Sequence, residues 1–266
     1  MTVYRHSLAV RLTHWIWALC LALLLMSGLQ IFNAHSALYW GQASTFGKPW
    51  LAMQAAEGAD GKEQGVTTVF GHRFDTTGWL GLAPGSDGEL AQRGFPAWIT
   101  LPSGQDLATA RRWHFFFAWL LVLNGLVFYA FAFAGGHWRA LVPSRRQLAG
   151  IGRSIWDHLM LRFPHGAEYN VLQKLAYFAV LFVLLPLMVL SGLAMSPALD
   201  NAVPLLGLFG GRQSARAIHF ITAFGLVLFF LVHIVMVLVS GVWNNLRSMI
   251  TGRYVTRPAG GVDDEA

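Results

Sequence analysis

Four apolar runs stand out from more polar stretches and are long enough to cross a bilayer: residues 12–33, 113–134, 172–195 and 215–240. Each holds about 20 predominantly apolar residues, the length needed to span the hydrocarbon core as a helix. The pattern predicts an all-α integral membrane protein built as a four-helix bundle. Arg5 and Arg11 precede the first run as in a signal peptide, but its apolar core is too long and no clear small-residue cleavage site follows. A retained first helix is therefore expected. A long loop, about 34–110, joins the first two helices; it is rich in glycine and carries Pro49, Pro84, Pro96, Pro102, Trp40, Trp50, Trp79 and Trp98. Its aromatic residues argue for packing on a membrane surface or a partner rather than disorder, and its stretch FPAWITLPSG reads as interfacial. No strands or helices are assigned within it. A second loop, about 135–171, is rich in arginine with a candidate surface helix around 147–161, and a tail occupies about 242–266.

Composition agrees with that pattern. A mean hydropathy of +0.48 with only 12% charged residues points to one membrane domain over 1–266 before any motif is considered. The net charge of +6 would suit nucleic acid, but its distribution excludes that partner. The amino terminus, the second loop and the tail together hold eleven Lys and Arg against five Asp and Glu, whereas the first loop and the other outward segments hold eight against eight. The excess lies on one side, which the positive-inside rule makes cytoplasmic. The expectation is a multi-pass protein of a bacterial inner membrane with both termini inside and the 34–110 loop outside. Cys20 is the only cysteine, so a disulfide framework, a c-type haem attachment and a cysteine-ligated iron–sulfur cluster within this chain are all excluded.

Histidines within the spans carry the candidate chemistry. His219 and His233 lie in the fourth span. Fourteen residues separate them, nearly four turns, which places both on one face about 21 Å apart along the axis. His14 lies near the cytoplasmic end of the first span and His114 near the external end of the second. Depth alone pairs His14 with His233 and His114 with His219, giving two axial bis-histidine sites suited to haem b in an apolar bundle. Ionisable groups inside a span are usually functional, though a single histidine there could also be a polar contact or a proton relay. Gly28 follows His14 by fourteen residues and Gly125 follows His114 by eleven, so each shares a histidine's face at the depth of the other site. Each could admit a macrocycle close to the backbone, or serve as an ordinary helix-packing glycine. Arg11, Arg111, Arg112 and Arg216 sit within three residues of a proposed ligand and could pair with haem propionates, or simply reach for the interface.

These motifs resemble the di-haem cytochrome b subunits of bacterial formate dehydrogenases, nickel–iron hydrogenases and thiosulfate reductases. The resemblance covers all four helices, through HW at His14, RRWHF around His114 and HFITAFGLVLFFLVH from His219 to His233. YNVLQK is similar to the segment bordering a cytoplasmic quinone pocket in the formate dehydrogenase relatives, which maps onto Asn170 and Gln173. As ordinary residues these amides would cap and orient the start of the third span. The long external loop departs from the short-looped members and looks more like cytochrome b proteins paired with periplasmic molybdopterin enzymes. The resemblance implies electron transfer between a periplasmic redox protein, either such an enzyme or another dehydrogenase or reductase subunit, and ubiquinone or menaquinone in the surrounding lipid. The rival readings are a self-contained superoxide-to-quinone oxidoreductase and a haem-free membrane anchor or transporter.

Overall fold

The computed structural model describes residues 2–58, 61–160 and 171–255. Among these residues four helices are long and apolar enough to cross a membrane: Leu8–Asn33, Leu107–Ala134, Val171–Ala194 and Arg212–Val239. The first, second and fourth begin three to six residues before the apolar runs do, because their charged first turns are helical as well. Asp106 starts the second span as an N-cap, its Oδ1 accepting from the Thr109 N–H at 3.0 Å. In the second loop the expected surface helix is present as two pieces, Arg145–Ala149 and Ile151–Leu159. Ser144 and Gln147 form a reciprocal capping box at the first piece.

The all-α expectation holds for the spans and not for the segments around them. Among the described residues eight strands occur: β1 (Thr2–Tyr4), β2 (Ala37–Leu38), β3 (Leu51–Glu57), β4 (Glu63–Val69), β5 (His72–Asp75), β6 (Gly81–Pro84), β7 (Leu90–Arg93) and β8 (Arg253–Val255). Six of them belong to the 34–110 loop, where β2-β3-β4-β5 form an antiparallel sheet and β6-β7 a hairpin.

The chain packs as two compact units: Met1–Ile16, Asn124–Pro186 and Phe224–Ala266 in one, Trp17–Leu123 and Leu187–Ala223 in the other. Each span contributes one end to each unit. The first, the terminus-side unit, contains β1 paired with β8, Thr2 opposite Val255 and Tyr4 opposite Arg253. Gly252 makes the approach to that sheet at φ +81°, where a Cβ would lie 2.6 Å from the Tyr4 ring, so only glycine fits. Arg11 Nη1 and Trp15 Nε1, one turn apart on the first span, donate to the Ile250 and Met249 carbonyls. These carbonyls end the helix Val242–Thr251 and lack helical partners of their own. The third span turns as a π-helix over Ala179–Leu184, with the Leu185 N–H reaching the Val180 carbonyl five residues back. The same register would aim Pro186 at the Leu181 carbonyl, but proline has no N–H. The Tyr129 hydroxyl donates to that carbonyl instead.

In the loop-side unit the sheet is fastened to the spans by an apolar core and a buried cation. Leu51 and Met53 of β3, with Leu38 and Phe95, pack against Leu29 and Phe32 of the first span and Phe220 of the fourth. At roughly 1.5–3 kcal/mol for each large apolar side chain buried, this core ties the loop to the bundle rather than leaving it a tether. Arg93, at the end of β7, is only 2% exposed. Its guanidinium donates to the carbonyls of Phe95 and Ser103, to Gln30 Oε1 and to Thr100 Oγ1. Burial lowers its pKa, and this ring of acceptors compensates for the lost water. The FPAWITLPSG stretch thereby has its irregular backbone satisfied from inside, with Leu101 N–H on the Met26 carbonyl at 3.1 Å and Trp98 left exposed. Trp40, Trp50 and Phe70 stack in a row across the sheet, at centroid spacings of 5.7 Å, with Trp40 and Phe70 exposed.

Candidate functional site

The four span histidines meet in the two pairs that depth predicts, one in each unit. The His114 and His219 ring centroids are 6.2 Å apart in the loop-side unit. Those of His14 and His233 are 6.3 Å apart in the terminus-side unit. One metal atom between two imidazoles takes about 2.0 Å to each ligating nitrogen and about 1.1 Å from nitrogen to ring centre, or roughly 6.2 Å in all. Both pairs match that span. Among the described residues no three His, Cys, Asp or Glu side chains gather around a common point. A two-imidazole donor set suits an iron whose other four ligands come from a porphyrin.

The loop-side pair is held from behind. The Ser27 hydroxyl lies 2.7 Å from the Leu23 carbonyl of its own helix and 3.1 Å from His114 Nδ1. A carbonyl only accepts, so the hydroxyl proton points at Leu23 and the oxygen accepts from Nδ1–H. His114 also bonds the Leu24 backbone. The third span repeats the arrangement for the other ring. There the Ser191 hydroxyl lies 2.7 Å from the Leu187 carbonyl and 3.0 Å from His219 Nδ1, which also lies 3.1 Å from the Met188 carbonyl. Both rings are thereby fixed in the tautomer with the proton on Nδ1, which leaves the Nε2 lone pair available to ligate a metal. The residue after each serine is a glycine whose added Cβ would stand 3.3 Å from the imidazole Cε1: Gly28 against His114, Gly192 against His219. Gly28 thus makes room for a histidine ring itself.

The terminus-side pair is built differently. His14 packs edge-on to Trp15 at 5.2 Å, and His233 stacks on Phe229 at 5.8 Å. His14 Nδ1 is buried without a hydrogen-bond partner among the described residues. Support reaches His14 through its neighbour: buried Asn124 donates to the Thr13 carbonyl at 2.9 Å, and Thr13 Oγ1 bonds the Ala9 carbonyl at 2.8 Å. Gly125 is buried beside Asn124.

The arginines proposed for propionates have other interactions in place. Arg216 donates to the carbonyls of Ala37, at 2.7 Å, and His35, and lies over Phe32, so it anchors the start of the loop. Arg11 is tied to Ile250, Arg111 lies over Phe115, and Arg112 stands in the electrostatic field of the Asp106 cap. Gln173 sits half-buried in the first turns of the third span, while Asn170 lies outside the described residues. Sequence reasoning missed Ser27, Ser191, Gly192 and Asn124. Their signal is a repeat: MSGL at 26–29, LNGL at 123–126 and LSGL at 190–193 each set a small polar residue before a glycine inside an apolar run.

Comparison with known proteins gives the family. The prokaryotic cytochrome b561 family matches residues 5–252. A putative protein-methionine-sulfoxide reductase subunit, YedZ1, of Azospira oryzae is 29% identical over 251 residues, 93% of this chain and 96% of that protein. The matched range covers nearly the whole chain, and the chain belongs to the prokaryotic cytochrome b561 family of membrane haem b proteins.

Proposed function

We propose that this cytochrome holds two haem b groups, one on His114 and His219 and one on His14 and His233, and passes electrons between the quinone pool and an external redox protein. The observation that carries this reading is the one-metal spacing of both histidine pairs, with the fourth span supplying a ligand to each. Haem supplies a one-electron iron couple; the chain supplies ligands, orientation and an apolar sheath. Ser27 and Ser191 orient one pair of imidazoles, and the Asn124 contact fixes the backbone beside the other. The terminus-side unit faces the cytoplasm on the strength of its arginines, and its Gln173 amide N–H is of the kind that donates to a quinone carbonyl. The loop-side unit faces outward, and its Trp40–Trp50–Phe70 row is the docking face for the partner. The relative's description as a reductase subunit supports a partner of the same kind, a periplasmic reductase that receives electrons from quinol, and a molybdopterin enzyme fits that role.

The test is the purified protein in proteoliposomes. Two haem b per chain are expected, both reduced by an added short-chain quinol and both reoxidised when the periplasmic reductase and its oxidised substrate are supplied outside. One haem per fully loaded chain, or no reduction by quinol, overturns the reading.

A further inference from the structure

We infer that Ser27 and Ser191 are positioning residues that hold down the reduction potential of the haem on His114 and His219 and leave the other couple untouched. The inference rests on the two-haem reading above. Each serine spends its proton on a carbonyl of its own helix, Leu23 or Leu187, and so presents only lone pairs to Nδ1–H. Nδ1–H of each ring therefore faces two acceptors, hydroxyl and carbonyl: Ser27 and Leu24 for His114, Ser191 and Met188 for His219. An imidazole whose distal N–H is shared with acceptors gains imidazolate character and becomes the stronger donor through Nε2. Stronger donation favours the ferric over the ferrous state and lowers the potential. Two equivalent clasps, from the first and the third span, act on the two ligands of one iron. In the other pair Nδ1 of His14 has no such acceptor among the described residues. The serines sit at 0% exposure in spans. With water excluded from the hydroxyls, the hydrogen bonds act in a low-dielectric setting where they weigh most.

The experiment is an equilibrium redox titration of the purified two-haem protein, followed optically and by low-temperature EPR of the ferric haems. It compares wild type with Ser27→Ala, Ser191→Ala and the double variant. Each alanine removes one acceptor and leaves the carbonyl in place, so haem content stays at two. The potential of one couple should rise in each single variant, and further in the double. A tenfold change in the oxidised-to-reduced ratio, or 59 mV for one electron, is the order expected for the double variant. The EPR signal of that haem should move with it, while the second couple and its signal stay fixed. Unmoved potentials in all three variants with both haems present overturn the inference, as does a shift of both couples together or loss of the haem itself. A wild type that binds a single haem instead refutes the two-haem reading.

Discussion

The two histidine pairs share a spacing and differ in what stands behind the rings. On the loop side, the bundle grips protons: serine hydroxyls and helix carbonyls take both Nδ1–H groups, and glycines let the rings lie close to the helices. On the terminus side, it grips carbon and backbone: an indole edge, a phenyl face, and an asparagine on the carbonyl next to His14. The glycine that faces a packing partner there, Gly225, would meet Leu184 at 3.6 Å rather than an imidazole. The difference teaches that one ligand geometry can be reached by hydrogen bonding or by packing, and that only the first route also adjusts the basicity of the ligand.

Ligand removal breaks the comparison most severely. His114→Ala or His219→Ala should abolish the loop-side haem and keep the other, and His14→Ala or His233→Ala should do the reverse. Haem extraction would read one group per chain in each case, and loss of both from a single substitution would show that the sites are not independent. Enlarging the glycines comes next. Gly192→Val should displace His219 and cost most of the loop-side haem, because branched bulk is added where a Cβ alone stands 3.3 Å from the ring. Gly225→Val should perturb haem loading far less, since its neighbour is a leucine end that can shift. Equal losses in the two variants would contradict the distinction drawn here.

The smallest effect is acid sensitivity. Burial, and then the adjacent Arg5, lower the His6 pKa from 6.5 to about 4. Between those values the detached terminus binds a proton that the folded one refuses, so pairing of β1 with β8 should weaken as pH falls from 6.5 to 4. On the loop side, Asp75 and Asp106 are held below the ordinary 3.8 by hydrogen bonds from Thr77 and Thr109, so their contribution is lost only at lower pH. From pH 7 to pH 5, amide protection measured against the intrinsic exchange rate at each pH should therefore fall in residues 2–6 before it does at the Asp106 cap. His6→Gln should remove that loss of protection.

The spans and the four histidines were legible because their signals are long: about 20 apolar residues per helix, and a fourteen-residue spacing that fixes face and depth together. The loop's strands were not. β3 reads LAMQAAE and is buried at its first three positions, so it shows no alternation, whereas all four residues of β5 are exposed. Arg93 counted as one of eight outward bases, and nothing in its neighbours announces the acceptors that Gln30 and Thr100 bring to it. Serine in a span is equally ambiguous: Ser27 and Ser191 bond their own helix in any event, and only the approach of a second helix turns the remaining lone pair toward a histidine.

The β1–β8 ribbon has a consequence for how the protein is made. Its strands stand about 250 residues apart, the first ahead of the first span and the second beyond the fourth. During synthesis β1 must wait, unpaired, until all four helices and then β8 have been made. Closing the ribbon is thus among the last steps of assembly, and Gly252, where a side chain would strike Tyr4, is the latch. A bulky residue there would leave the helices inserted and the ribbon open, making the exposed front end a proteolytic marker of chains that stopped one step short.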